Sequence, residues 1–309
     1  MGEMNKPKLN QLEMLVAVAD TGSFGAAAAE LGCTQSRISH GITELEASLG
    51  MRLLSRSRAG SVPTDAGYRV LTKARQILRL THSLLETEKD DSGIIGRVRI
   101  ACFRSVATHL LPHALTALAV EYPGIRVDID ESCEERSDVT RAVLEGRADI
   151  GIAQLPIEHG MVTRPFVSDA YVLVAPVSLP LRVPITWEQF KDTPYIQLAC
   201  SGALAVLEQC RAAGFTAEPS RTLTTDTGIV AMAKHGIGYS ILPRLTVFPD
   251  PGGVKIANLP IPAKRQFALV ALPDTARIKA VQIVMRCVGH RRTVANSDAF
   301  RAGHVGWSE

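Results

Sequence analysis

Apolar positions recur at helical spacing along the first ninety residues. Leu12, Leu15, Val16 and Ala19 mark one helix, and Phe24, Ala27, Ala28 and Leu31 a second. Ser23 is suited to cap the second at its start, and Gly32 to turn the chain at its end. In "LGCTQSRISHGITELEASLG", residues 31–50, a third helix follows Thr34 as its cap. Stepped at about 100° per residue, Ile38, Ile42, Leu45 and Leu49 fall on one narrow stripe. Ser36, His40 and Thr43 point the opposite way, with Arg37 and Ser39 beside them. Gly41 lies next to the stripe, where a missing side chain lets another helix come close. A short helix, a glycine turn and a second helix with a polar N-terminal end make a helix-turn-helix, whose second helix enters the major groove of DNA.

The next stretch, "MRLLSRSRAGSVPTDAGYRVL", sets Arg52, Arg56 and Arg58 around a Gly/Pro-punctuated segment. That is the pattern of a small β-hairpin wing lying against phosphates or the minor groove. Thr64 or Asp65 then caps a long helix running towards Glu88. Leu71, Ala74, Leu78, Thr81 and Leu85 alternate by three and four along it, a short coiled-coil seam that implies a dimer. The alternative is a helix packed on its own domain.

After "KDDSGIIG" the period changes. "RVRIAC", "IRVDIDE", "ADIGIA", "YVLVA", "YIQLA", "YSILP" and "QFALVAL" read as strands, separated by helical stretches such as Ala107 to Glu121 and Val139 to Gly146. Strands alternating with helices indicate α/β packing around largely parallel sheets.

At 309 residues the chain is long enough for two or three domains. It is 46% hydrophobic but only 5% aromatic, so the core must be aliphatic. No basic cluster followed by an apolar run opens the chain, and no 18 uninterrupted apolar residues occur, so a cytoplasmic protein without a membrane partner is expected. Cys33, Cys102, Cys133, Cys200, Cys210 and Cys287 are dispersed without zinc-ligand spacing, which argues against a metal site or a disulfide framework. Net charge is +3, but between Gly32 and Leu80 eight cations face three anions, a local excess able to attract a phosphate backbone. The sequence contains no G-x-S-x-G, P-loop, H-E-x-x-H or dinucleotide fingerprint, so no enzyme and no cofactor are expected. An enzyme or small-molecule carrier of the same fold is the rival from another class.

The run "LNQLEMLVAVADTGSFGAAAAELGCTQSRISHGITELEASLGMRLLSRS...PTDAGY" resembles the LysR-type bacterial transcriptional regulators, and the likeness extends through "EYPGIRVDIDESCEERSDVTRAVLEGRADIGIA". It implies a winged helix-turn-helix at 1–65, a linker and dimerisation helix at 66–92 and an effector domain at 93–300, with 301–309 a tail. The effector domain would have two lobes, like type 2 periplasmic binding proteins: 93–166 with 268–300, and 167–267. The crossings fall near Phe166 to Ser168 and Arg265 to Phe267, and a helix from Ala276 to His290 completes the first lobe. Double-stranded DNA would meet Thr34, Gln35, Ser36, Arg37, Ser39, His40, Thr43, Arg52, Arg56, Arg58 and Thr64.

A small effector, an organic acid or aromatic compound, would sit between the lobes. Family positions place Arg104, Ser105, Ser132, Cys133, Gln154, Cys200, Ser201, Thr225, Asp226 and Thr227 around it; each is also suited to capping a helix or filling a core. The resemblance further implies a homodimer or homotetramer, with RNA polymerase as a partner. Peroxide-sensing family members carry two switch cysteines where Cys200 and Cys210 lie, although the spacing here is one residue longer. Redox sensing by that pair is the alternative within the family.

Overall fold

The computed structural model describes residues 6–57, 60–85, 94–157 and 160–308. Arg58, Glu88, Glu309 and the side chains of Arg56 and Leu85 lie outside that description. The described chain divides into an N-terminal unit and a C-terminal unit that starts at the first strand after residue 92.

In the N-terminal unit α1 (Leu9–Thr21), α2 (Phe24–Glu30) and α3 (Gln35–Leu49) precede a hairpin of β1 (Leu54–Ser57) and β2 (Gly60–Pro63), then α4 (Asp65–Leu85). Local signals fix these ends. The Ser23 hydroxyl accepts the Ala26 N–H, Gly32 takes a φ of +61°, and the Thr34 hydroxyl accepts the Arg37 N–H at 3.3 Å. Thr64 caps α4, accepting from the Gly67 N–H and donating to the Arg52 carbonyl. Leu12, Leu15, Val18, Ala27, Ile38, Ile42, Leu45 and Leu53 form the core. Two glycines mark close approaches. A Cβ at Gly41 would stand 2.4 Å from the Met14 sulfur of α1, and one at Gly67 2.0 Å from the Leu53 carbonyl oxygen.

The proposed seam of α4 is corrected. Leu71 and Ala74 are buried in this unit's own core and Leu78 packs against it, so these residues are already covered. Arg75 on the same helix is ion-paired to Asp20 of α1. Among the described residues of α4, Tyr68, Ile77 and Leu80 are exposed large apolar side chains.

The C-terminal unit runs β3 (Gly96–Phe103), α5 (Arg104–His109), α6 (Leu111–Glu121), β4 (Ile125–Cys133), α7 (Arg136–Leu144), β5 (Ile150–Gln154), β6 (Val162–Pro176), β7 (Tyr195–Leu198), α8 (Ser201–Ala212), β8 (Pro219–Leu223), α9 (Asp226–Lys234), β9 (Ser240–Pro243), β10 (Val254–Asn258), β11 (Lys264–Ala271), α10 (Lys279–Val288), α11 (Arg291–Ala295), α12 (Asp298–Arg301) and β12 (Val305–Trp307). The single helix expected over Ala107 to Glu121 breaks at Leu110. Pro112 then sits in the first turn of α6, where its missing N–H is no loss.

The sheet is mixed rather than largely parallel. β3 pairs in parallel with β4 and β5, and β7 with β8. The strands that carry the chain between lobes are antiparallel, because each lobe is left and re-entered in opposite directions. β6 is fifteen residues long: its first part pairs with β11, and from Tyr171 it pairs with β9 and β10 instead. The crossings therefore lie at Ala170/Tyr171 and Ala263/Lys264, a few residues inside the expected ones. Phe166, Val167 and Phe267 belong to the first lobe's core, while Tyr171, Leu173 and Ala263 belong to the second's.

Within the expected tail of 301–309, the described residues up to Ser308 are tied to the sheet. β12 pairs with β6 at Val167 to Asp169. The Ser308 hydroxyl donates to the Val167 carbonyl at 2.8 Å and lies 3.2 Å from that of Phe267, reaching both crossing strands.

Candidate functional site

Helix α3 presents Gln35, Ser36, Arg37, Ser39, His40 and Thr43 to solvent and buries Ile38, Gly41, Ile42 and Leu45. Exposed Thr34 and Ser36 stand with their hydroxyls 3.1 Å apart, and Arg52 is exposed at the foot of the hairpin. Two of the expected residues are partly engaged within the protein: Thr43 donates to the Ser39 carbonyl, and Thr64 holds α4 to Arg52. Sequence reasoning missed the supports. Glu44 stands 3.4 Å from His40 Nδ1 and accepts the amide of buried Gln11 on α1 at 2.9 Å. Glu46 accepts the N–H groups of Leu53 and Leu54, fixing the hairpin to α3.

In the C-terminal unit a cavity of about 80 Å³ opens between the lobes. By solvent-sized packing that is room for on the order of half a dozen waters. It lies at the ends of β3, β4 and β5 and the starts of α5, α7, α8 and α9, the crevice geometry of open α/β sheets. Of the expected residues, Arg104, Ser105, Cys133, Gln154, Cys200, Thr225 and Asp226 line it. Ser132 is exposed and bonds Asp130 instead, and Thr227 is exposed with its N–H on the Asp226 carboxylate. Ser201 approaches the cleft through a bond to Glu135, one of its lining residues. Among the described residues Arg104 and Arg136 are exposed cations without an ion pair.

The floor of the cleft was not foreseen. Arg265 of β11 and Asp169 of β6 are register partners on the two crossing strands, both almost wholly buried, with Nη2 2.8 Å from Oδ2. Asp169 also accepts the Leu245 N–H, and Arg265 donates to the Ser105 hydroxyl at 3.2 Å. The guanidinium lies 4.9 Å from the Phe267 ring centre. Burial pushes the Asp169 carboxyl upward and Arg265 pulls it back. The signal that was available is an arginine inside the strand pattern "KRQFALVAL", which a buried strand tolerates only with a partner.

Cys200 precedes α8 and lines the cleft, whereas Cys210 is wholly buried near the helix's far end. Ten residues at 1.5 Å each separate them by about 15 Å along the axis, against the roughly 7 Å a disulfide allows. Burial raises both thiols, Cys210 to about 11. Among the described residues no His, Cys, Asp and Glu group is arranged to hold a metal, and no single helix is long and apolar enough to cross a membrane.

A winged helix-turn-helix joined to a two-lobed α/β domain with a cleft defines a class of DNA-binding regulator. Residues 9–68 match the family described as "Bacterial regulatory helix-turn-helix protein, lysR family", and residues 91–292 the "LysR substrate binding domain". The chain belongs to the LysR family of transcriptional regulators. It is 36% identical over 276 residues to the "Probable HTH-type transcriptional regulator LrrA" of Synechococcus elongatus, covering 88% of this chain and 93% of that protein. It is 29% identical over 248 residues to a "Probable hydrogen peroxide-inducible genes activator" of Mycobacterium leprae, covering 77% and 78%. Among solved structures, a full-length OxyR variant from Pseudomonas aeruginosa has a TM-score of 0.71 at 20% identity over 94% of this chain and 100% of that one. CbnR complexed with its target DNA has a TM-score of 0.64 at 21% identity, covering 93% and 99%.

Proposed function

We propose that α3 reads base edges in the major groove through Gln35, Ser36, Arg37, Ser39 and His40, with Thr34, Thr43, Arg52, Thr64 and the wing arginines Arg56 and Arg58 on phosphates or groove edges. The observation that carries this reading is the uncovered polar face of α3 opposite its buried stripe. A small effector binds in the interlobe cleft between Arg104, Gln154 and Thr225, and the protein performs no catalysis. Such an effector must favour one arrangement of the regulator over another. The exposed Ile77 and Leu80 of α4 pair with a second copy, giving a homodimer that assembles into a tetramer in the cytoplasm and engages RNA polymerase.

Selected duplexes and footprinting test the DNA reading. Arg37→Ala and His40→Ala alter base preference by about 1–3 kcal/mol at the contacted positions. Arg52→Ala weakens binding to all sequences and lowers the salt slope by about 1. Unchanged selectivity in the α3 variants would refute the placement.

Thiol sensing at Cys200 and Cys210 is the second reading, favoured by the 29% identity to a protein named as a peroxide-inducible activator. It requires α8 to unwind. Mass spectrometry after peroxide treatment decides it: unmodified Cys200 and Cys210 at oxidant levels that change DNA binding would end it.

A further inference from the structure

Glu135 immediately precedes α7 in the first lobe, and Ser201 is the first residue of α8 in the second. The Ser201 N–H lies 2.9 and 3.0 Å from the two Glu135 carboxylate oxygens, and the Ser201 hydroxyl donates to one of them. A carboxylate is held there by unsatisfied amide hydrogens and by the dipole of a twelve-residue helix. This helix end beside the cleft, suited to an anion, is thus filled by a carboxylate belonging to the opposite lobe.

A second group in the same cleft lacks what Ser201 has. Tyr171 is 3% exposed and lines the cavity, and among the described residues its hydroxyl has no hydrogen-bond partner. Burial pushes its phenol up and Arg265 pulls it back, with Cys200 and Glu135 adding smaller upward pushes. A hydroxyl without a protein partner at the end of so buried a side chain is free to donate to an acceptor that arrives in the cleft. Gln154 crowds the same helix end: its Oε1 lies 2.8 Å from where a Cβ on Gly202 would stand.

We propose that Glu135 is an internal occupant of the effector seat, and that the effector is a small carboxylate that replaces it on Ser201 while accepting from the Tyr171 hydroxyl. The exchange keeps the helix end satisfied and cuts the tie between lobes, so binding and release of the lobes are one event. This rests on the cleft being the effector site. It also explains the small cavity: with Glu135 seated, the space its carboxylate fills is closed to the ligand.

The tether makes Glu135 a strong competitor, and ligand affinity falls by the fraction of molecules in which the seat is free. Acetate is the probe, titrated into the full chain by calorimetry with sodium chloride at matched ionic strength as control. If Glu135 is seated in nine molecules of ten, Glu135→Ala binds acetate about tenfold tighter than the natural protein. Adding Tyr171→Phe removes part of that gain. Glu135→Gln, which keeps an oxygen on Ser201 without the charge, falls between and serves should the alanine variant not fold. Folded Glu135 variants that bind acetate no tighter than the natural protein, or respond equally to chloride, would overturn the proposal. A parallel thermal-shift screen separates the two readings. A metabolite that stabilises the natural protein, loses its effect in Arg104→Ala and is indifferent to Glu135→Ala overturns the displacement and leaves the cleft as effector site. One indifferent to Arg104→Ala, Gln154→Ala and Glu135→Ala overturns both.

Discussion

Helices α3 and α8 each carry a serine in their first turn and end up in opposite situations. Thr34 caps α3 from its own turn, and the residues that follow face solvent with nothing seated on them. Cys200 offers α8 no side-chain cap, and the Ser201 amide is satisfied by a glutamate 66 residues away. A helix end satisfied by its neighbours is ready for a partner from outside. One satisfied by a distant side chain makes two lobes depend on each other, and anything that binds there must first displace that side chain.

The largest effect should come from the long-range side of this contrast. Asp169→Ala leaves Arg265 buried without its anion and should cost about 3–5 kcal/mol in denaturant unfolding of the C-terminal unit. A loss under 1 kcal/mol would mean that water reaches Arg265. Gly67→Ala, in the locally specified unit, drives a methyl into the Leu53 carbonyl; a loss of about 1–3 kcal/mol is expected, confined to unfolding of the N-terminal unit. Thr34→Ala removes a cap worth about 1 kcal/mol and should lower DNA affinity without touching effector response. Equal damage to both would break the comparison.

The smallest effect is a pH dependence. Burial, then the charge of Arg244, lowers the pKa of His304, whose Nδ1 accepts the Arg244 N–H at 2.6 Å. His109, edge-to-face with Phe248, is lowered by burial as well. For groups kept neutral by the fold, stability is complete above the ordinary value of 6.5 and is lost as pH falls through the lowered folded values. The melting temperature should therefore drop between pH 7.5 and 5.5, and by less in His304→Gln. An identical profile in that variant would remove His304 as a cause.

What could be read from the sequence follows the same division. The caps at Ser23 and Thr34, the stripe of α3 and the close approach at Gly41 are all set within a few residues or by one helical face, so periodicity and side-chain chemistry disclose them. The α4 stripe of Leu71, Ala74 and Leu78 was legible as apolar but not as to what it covers, since a seam for a second copy and a seam for α1 share one spacing. Strands β8, β10 and β12 escaped because they are short, with few apolar residues in alternation. The Arg104 neighbourhood could be found because it follows the end of a recognisable strand. Glu135 and Arg265 could not be assigned, because their meaning depends on Ser201 and Asp169, brought beside them only by the crossing strands.

The clasp of β12 across those strands makes the end of the chain a gauge. Ser308 touches carbonyls of β6 and β11 together, on the first-lobe side of both crossings, so the last few residues are fixed where those strands leave that lobe. A dye carried on a short extension beyond Ser308 would be held to the first lobe, a few residues from the hinge. Its rotational freedom would turn lobe movement into an optical signal, with every residue of the cleft left in place.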